Sequence, residues 1–400
     1  MTPARIAAAE RALSPVIRRT PLLDSRVLTE RTGRPVRLKC ENLQHTGSFK
    51  PRGAYNRMVN LTDEDRAAGV VAASAGNHAQ GVAWAARQLG VAATVFMPVG
   101  ASLPKLAATR AYGATVHLRG DTVDEALSAA FDFAAETGAV PIHPFDHPDV
   151  VAGQATVGLE ILDDFPDVGT VLVPTGGGGL LAGVAAAIRS ARPDVRIVGV
   201  QADQAAAWPA SIAAGEPVAA QSMSTMADGI AVGLPGQVPF AHVTEYVDEV
   251  ATVSEDALSH ALLLCMERAK LIVEPAGAAA VAALGGDGPR LDGPVCAILS
   301  GGNIDPLLLT HVITHGLRAA GRYLAMRVRI PDRPGGLAGL LSVVGGTGAS
   351  VVDVVHARTG RDLGLDEVEV LLTVETRGRE HRDGVLAAIR SAGFTARVQE

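Results

Sequence analysis

Between residues 70 and 142, short apolar runs alternate with longer amphipathic ones. The apolar runs predict strands at 69–73, 93–97, 115–118 and 140–142. Apolar residues recur at helical spacing over 77–89, and Gly90 predicts the end of that helix. Strands that alternate with helices of this length form a parallel sheet with right-handed crossovers. We therefore predict a smaller lobe over residues 52–147.

The same alternation continues after residue 150 and indicates a larger lobe. A helix is predicted over 151–165, and the apolar strand 170–174 leads into four glycines. Further strands and helices follow up to about Ala320. In open α/β sheets, ligands bind in the cleft at the carboxyl ends of the strands. The pattern thus predicts an α/β domain with two parallel-sheet lobes over residues 1–321.

The pattern changes after Gly321. The remaining residues read as strand, helix, strand, strand, helix and strand, with a clear alternation over 323–330. This βαββαβ order is that of a ferredoxin-like unit. A second domain is therefore predicted over residues 322–400.

Composition narrows the class of protein. A chain of 400 residues is longer than one core usually serves, and 48% hydrophobic residues suffice for a large interior. The net charge of −7 argues against nucleic acid as a partner. Cys40, Cys265 and Cys296 have no spacing typical of a disulfide framework or a metal site. They indicate buried thiols in a reducing compartment.

Two stretches bear on targeting and membranes. Residues 2–19 are charged throughout and lack the apolar core of a signal peptide. Residues 168–188 carry no charge, but Pro174 and four glycines interrupt them, which predicts strand, loop and helix rather than a span. We expect a cytoplasmic protein without a membrane partner.

One lysine stands among residues suited to cofactor chemistry. Lys50 lies in the stretch TGSFKPRGA (46–54), which follows a predicted strand. Alone, it would be explained as a solvated lysine at a helix start. Three stretches change that: SAGNH (74–78), GGGGL (176–180) and SGGN (300–303). Pyridoxal phosphate needs a lysine for its aldehyde, backbone N–H groups for its phosphate and a polar partner for its ring nitrogen. Together the four stretches supply these.

As a set, the motifs resemble the fold-type II pyridoxal-phosphate enzymes, most closely the threonine/serine dehydratase group. The resemblance runs from about Pro21 to about Gly316. It implies that pyridoxal 5′-phosphate is bound by Lys50, which then removes the Cα proton of an amino-acid substrate. Asn77 would contact the ring hydroxyl, Ser300 the ring nitrogen and Phe49 the cofactor. The phosphate would be bound by Gly176, Gly177, Gly178, Gly179 and Leu180. The substrate carboxylate would be bound by Ser74, Ala75, Gly76, Asn77 and His78.

Several of these residues have simpler explanations. Packing explains Phe49 equally well, and a core histidine bound to backbone explains His78 better than a catalytic acid. Glu274 resembles a family residue beside the cofactor, although a carboxylate at a helix start explains it equally well. Some relatives bind a divalent cation through a carboxylate cluster, but Gln201 stands where a glutamate would be expected. No metal site is therefore predicted.

Two residues bear on the reaction. Ala75 stands where related serine racemases carry a proton-donating serine, which disfavours racemisation. Ser300 is a neutral partner that cannot hold the ring nitrogen protonated as a carboxylate would, which favours β-elimination over transamination. The prediction is dehydration of L-threonine to 2-oxobutyrate and ammonia, with activity on L-serine, in isoleucine biosynthesis or threonine catabolism. Alternatives are a serine or hydroxyaspartate dehydratase, a serine racemase, a β-replacement enzyme such as cysteine synthase, or a non-catalytic amino-acid sensor.

The C-terminal unit resembles an ACT domain, a small regulatory module that binds amino acids. The turn after its first strand carries the resemblance: Asp332, Arg333, Pro334 and Gly335. The resemblance implies an allosteric effector such as isoleucine or valine at that turn. An oligomerisation module that binds nothing is the alternative. The family suggests a homodimer or homotetramer.

Overall fold

The computed structural model describes residues 1–286, 288–357, 363–364 and 366–399. The chain divides into two compact units, Met1–Pro306 and Leu307–Glu400. The predicted domain boundary after Gly321 stays a prediction; the division into compact units falls earlier, and nearly all of the helix Pro306–Ala319 lies in the second unit. The physical reason is visible at that helix's end, where Arg379 donates a hydrogen bond to the carbonyl of Ala319.

The first unit is built from strands that alternate with helices. Its strands are β1 Leu22–Asp24, β2 Val36–Lys39, β3 Val70–Ala73, β4 Ala93–Met97, β5 Thr115–Leu118, β6 Val140–Pro141, β7 Thr170–Pro174, β8 Arg196–Ala202, β9 Glu249–Val253 and β10 Val295–Ile298. Its first helices are α1 Pro3–Leu13, α2 Arg26–Thr32, α3 Lys50–Val59, α4 Asp63–Ala68, α5 Asn77–Leu89, α6 Leu103–Ala111 and α7 Val123–Thr137. The later ones are α8 Pro148–Asp164, α9 Gly179–Ala191, α10 Trp208–Ala214, α11 Gln237–Tyr246, α12 Glu255–Leu264 and α13 Pro275–Ala282. The next helix, α14 Pro306–Ala319, begins at the last residue of the first unit and otherwise belongs to the second.

Two sheets form the two lobes. The smaller sheet has the order β5-β4-β3-β6 and is parallel throughout, as the alternation of strands and helices predicted. The larger has the order β1-β2-β10-β7-β8-β9, and only its edge pair β1–β2 is antiparallel. Each lobe has its own apolar core. The two-lobed α/β fold predicted from the sequence is confirmed.

Local sequence signals mark several helix ends. Gly90 and Gly138 end α5 and α7 in the left-handed conformation. Thr122 caps α7 by accepting from the N–H of Glu125, without the reciprocal hydrogen bond of a capping box. The Glu125 carboxylate accepts from the N–H of Asp121 instead. No helix among the described residues is long and apolar enough to span a bilayer.

The second unit has the predicted βαββαβ order. Its elements after α14 are β11 Tyr323–Pro331, α15 Gly336–Gly346, β12 Ser350–Ala357, β13 Glu367–Glu375, α16 Arg379–Ser391 and β14 Thr395–Val398. The sheet has the order β12-β13-β11-β14 and every pair is antiparallel. Alternate residues of β11 and β13 point into one apolar core. This is the ferredoxin-like arrangement.

Candidate active site

Four loops at the carboxyl ends of parallel strands carry the predicted site. Lys50 is the first residue of α3, after two 3₁₀ turns that follow β2. Asn77 is the first residue of α5 and follows β3. The glycine loop connects β7 to α9, and Ser300 follows β10. Parallel strands place such loops at one edge of a sheet, where ligands bind.

The lysine loop and the serine loop are joined through their backbones. Ser48 and Gly301 form an isolated antiparallel bridge. The N–H of Phe49 donates to the carbonyl of Ser300 at 3.2 Å. Ser300 itself is 4% exposed. Lys50 therefore lies next to a short backbone pairing that fixes its loop against the carboxyl end of β10.

Side chains from two of the motifs, a backbone carbonyl from a third and the Glu274 carboxylate form one hydrogen-bonded chain. Asn303 Nδ2 donates to the carbonyl of Thr46 at 2.6 Å and to Asn77 Oδ1 at 2.8 Å. Asn77 Nδ2 in turn donates to Glu274 Oε1 at 2.6 Å. Thr46 adopts a positive φ of 62°, which is rare for a threonine and typical of strained functional loops. The positioning role of Asn303 was missed, although its motif was recognised.

The Lys50 amine lies in a confined position. Its Nζ donates to the carbonyl of Pro144 at 3.0 Å and lies 5.1 Å from the ring centre of Phe49. Burial lowers the pKa of Lys50 to about 8, and the Glu274 carboxylate opposes this shift. A lysine with a lowered pKa is a better nucleophile and base near neutral pH.

Glycine is required in the loop between β7 and α9. Gly178 has φ +95°, which disfavours a side chain. A Cβ at Gly177 would overlap the ring of Phe145, and one at Gly178 would overlap Trp208. Trp208 also donates from Nε1 to the carbonyl of Gly176 at 2.7 Å. The two aromatic residues thus shape the loop, and neither was identified from the sequence, because they lie in distant segments.

The glycine loop presents backbone donors. Within the described residues, the N–H groups of Gly177, Gly178, Gly179 and Leu180 donate no hydrogen bond. The helix α9 starts at Gly179, so its positive dipole end adds to these donors. Such an arrangement is an anion site. Together with the Lys50 amine and the buried Ser300, it fits pyridoxal phosphate.

His78 and Ser74 make local contacts in the second loop. A ring nitrogen of His78 lies 2.7 Å from the carbonyl of Ile142, as expected of a core histidine. Burial, with the nearby Lys50 charge, lowers the pKa of His78 to about 3 and keeps it neutral. Ser74 Oγ accepts from the N–H of Gly76 at 3.1 Å. Carboxylate binding by this loop stays a prediction.

Glu274 is buried beside these groups, with 3% of its surface exposed. It precedes α13 but makes no capping hydrogen bond, so the helix-start explanation does not account for its contacts. Its carboxylate instead accepts from Asn77 and lies against the Cα of Gly301. Burial and the Asp228 charge raise the pKa of Glu274 to about 7, while the hydrogen bond from Asn77 opposes the shift.

Gln201 belongs to the interior rather than to the site surface. It is fully buried, and its Oε1 accepts from the N–H of Trp208 at 2.9 Å. Gln201 thus helps to hold the tryptophan that packs on the glycine loop. Across the described part of the chain, no group of three or more histidine, cysteine, aspartate or glutamate residues could hold a metal ion.

A two-lobed α/β fold with a confined lysine and a glycine-rich anion site defines a class of cofactor enzymes. Residues 13–301 match the family model for pyridoxal-phosphate dependent enzymes, and the chain belongs to this family. It is thus an enzyme whose cofactor is pyridoxal phosphate.

Proteins with different activities are similar to this chain. An L-threonine ammonia-lyase of Thermotoga maritima is 44% identical over 390 residues, which are 98% of this chain and 97% of that protein. The crystal structure of the T.th. threonine deaminase has a TM-score of 0.73 and 43% identity, and the match covers 76% of this chain and 99% of that one. Maize serine racemase has a TM-score of 0.74 and 34% identity, with coverage of 79% and 97%.

The packing of Gly178 leads to a testable prediction. We expect Gly178→Ala to weaken binding of pyridoxal phosphate at least about tenfold and to destabilise the fold by about 1–3 kcal/mol, because the added methyl overlaps Trp208. Cofactor titration and thermal unfolding measure the two effects. Gly113→Ala is the control, since it has φ +97° with open space around it and tests strain alone. Equal cofactor affinity in both variants would contradict the prediction.

The charge of Glu274 leads to a second prediction. We expect Glu274→Gln to lower the pKa of Lys50 further, because the carboxylate that favours the ammonium is removed. The rate at which the cofactor-free protein takes up pyridoxal phosphate follows the neutral amine. Its pH profile should have a midpoint near 8 in the wild type and a lower one in the variant. The exposed Glu64→Gln is the control, and identical midpoints would refute the coupling.

Proposed function

We propose that this enzyme dehydrates and deaminates L-threonine to 2-oxobutyrate and ammonia, and that L-serine is a second substrate. The observation that carries the proposal is the hydrogen-bonded assembly of the Lys50, Asn77 and Ser300 loops. Further support comes from the 44% identity, over 98% of the chain, to an L-threonine ammonia-lyase. When bound, pyridoxal phosphate supplies an electron-withdrawing ring that acidifies the Cα–H bond of an amino acid.

The other parts of the reaction are assigned to residues of the chain. Lys50 has a pKa lowered to about 8, which suits an amine that accepts the Cα proton near neutral pH. The loop before α5 would bind the substrate carboxylate through backbone N–H groups at a helix start. The hydroxyl of Ser300 would be a neutral partner for the ring nitrogen. This neutrality favours expulsion of the β-hydroxyl over reactions that need a long-lived negative charge at Cα.

Release of a 2-oxo acid from L-threonine by the purified, cofactor-loaded protein tests the proposal. We expect rapid formation of 2-oxobutyrate and slower formation of pyruvate from L-serine. If threonine changed the absorbance of the bound cofactor without product formation, the site would be correct and the reaction wrong. Formation of D-serine from L-serine would favour a racemase. The similarity to maize serine racemase is the reason to test this alternative. Ala75 argues against it, because alanine has no proton to donate.

We also propose that the C-terminal unit is an ACT-like regulatory domain in an enzyme of isoleucine biosynthesis, with threonine catabolism as the alternative. Its βαββαβ topology supports this. The effector turn over residues 332–335 is exposed, directly follows β11 and ends at Gly335 with φ +89°. Isoleucine or valine should change the rate of threonine turnover, and Arg333→Ala should remove that response. No response to either amino acid would favour a purely oligomeric role.

The proposal also concerns the oligomeric state of the protein and its cellular compartment. We propose a homodimer or homotetramer, in which the edge strand β12 exposes Val351, Val352 and Val355 for contact with another subunit. Light scattering after gel filtration measures the oligomer. The cysteines are buried and unpaired, which supports a reducing compartment such as the cytoplasm.

A further inference from the structure

An ion pair stands beside the loop expected to bind the substrate carboxylate. Lys105 Nζ, in the first turns of α6, lies 2.9 Å from Asp228 Oδ2. The same Nζ lies 4.0 Å from the position that a Cβ on Gly76 would occupy, and no other atom approaches that position as closely. Among the described residues, apart from the chain neighbours of Gly76, Lys105 Nζ is thus the one atom within 4 Å of that position.

The partner carboxylate stands on a segment that packs against the rest of the site. Asp228 begins the 3₁₀ turn Asp228–Ile230. A Cβ on Gly176 would lie 3.1 Å from the Cα of Ile230, and one on Gly229 would lie 3.7 Å from Glu274 Oε1. The pair thus connects the smaller lobe to a turn beside the glycine loop.

The two members of the pair differ in their exposure. The Lys105 side chain is 16% exposed, whereas that of Asp228 is 58% exposed. An exposed carboxylate gains little from a single ion pair, because water and salt screen the attraction. A partly buried lysine with such a partner can therefore exchange that carboxylate for another one at a low cost in free energy.

From this geometry we propose that Lys105 binds the α-carboxylate of the amino-acid substrate. When no substrate is bound, Lys105 forms its ion pair with Asp228 instead. The inference rests on the proposed function of the site as one that binds an amino acid. Binding breaks the pair with Asp228 and forms a charge-assisted hydrogen bond from the ammonium to the substrate. Asp228 then competes with the substrate for Lys105.

Two variants with opposite expected effects test the exchange. Lys105→Met keeps the apolar stem and removes the charge. It should raise the KM for L-threonine, and the dissociation constant from titration of the cofactor absorbance, about tenfold with little change in kcat. Asp228→Asn removes the competitor and should lower both constants about twofold to threefold. In the double variant, Asp228→Asn should no longer lower the KM or the dissociation constant for L-threonine.

A substrate without a carboxylate separates binding from a structural effect. L-threoninamide lacks the negative charge, so its dissociation constant should be the same in the wild type and in Lys105→Met. Arg110→Met removes an exposed charge from the same helix and should leave both ligands unaffected. Unchanged affinity for threonine in Lys105→Met, or equal weakening of threonine and its amide, would overturn the proposal. The absorbance titration needs no turnover, so failure of the proposed reaction is seen separately in the wild type as absent 2-oxo acid.

Discussion

Lys50→Ala is expected to abolish turnover, with a loss of at least about 10⁴-fold, and to remove the absorbance of lysine-bound cofactor. We propose that Lys50 supplies the amine that holds the cofactor's aldehyde and accepts the Cα proton. Among the described residues, Lys39 pairs with Glu160 and we assign Lys105 to the substrate carboxylate, so we expect neither to replace Lys50. The measurements are 2-oxo acid release and the absorption spectrum of the reconstituted protein.

Two further variants make this test specific. Lys50→Arg keeps a cation but cannot attach the aldehyde, so it should lose the absorbance as completely as the alanine variant. Lys270→Met changes an exposed lysine that donates to the nearby carbonyl of Glu267, and it should leave the spectrum intact. Wild-type absorbance in Lys50→Ala, with normal thermal unfolding, would show that another residue binds the cofactor.

Arg52→Met is expected to destabilise the first unit by about 3–5 kcal/mol, because buried Glu41 loses its paired cation and Glu160 loses one of the two cations that pair with it. Arg52 is 1% exposed and contacts Glu41 and Glu160 at 2.7 to 3.0 Å. Burial alone would raise the pKa of Glu41, but the charge and hydrogen bonds of Arg52 outweigh burial and lower it. The loss should lower Tm by on the order of 10 °C.

Thermal and denaturant unfolding measure this effect. The matched control is Arg26→Met, which removes an exposed i,i+4 pair with Glu30 and should change stability by no more than about 0.5 kcal/mol. Adding Glu41→Gln to Arg52→Met should recover part of the loss, because one uncompensated charge is removed. Similar Tm values for the Arg52 and Arg26 variants would refute a structural role for the buried network. Because Arg52 follows Lys50 by two residues on α3, weaker cofactor binding should accompany unfolding.

Local patterns predicted most of the elements that position the site. Helix α5 has the predicted bounds from Asn77 to Leu89, because its apolar spacing and Gly90 are local signals. Residues 4–18 have the amphipathic spacing of a helix, but the first helix ends at Leu13. The short elements β1 and α2 were missed because seven or fewer residues give little periodicity. Residues 204–230 have no regular apolar spacing from which elements could be predicted, yet they include Trp208, which contacts Gly176, and Asp228, which pairs with Lys105.

The sequence alone determined the class of fold, the order of its strands and helices, and the motifs that identify Lys50, the glycine loop and Ser300. These depend on residue types at short spacing, which a chain carries before it folds. Only the tertiary structure decided which distant side chains meet. The contacts of Asn303 with Asn77, of Trp208 with Gly176 and of Lys105 with Asp228 join residues 226, 32 and 123 positions apart. Such contacts arise from sheet order and helix packing, and no local pattern encodes them.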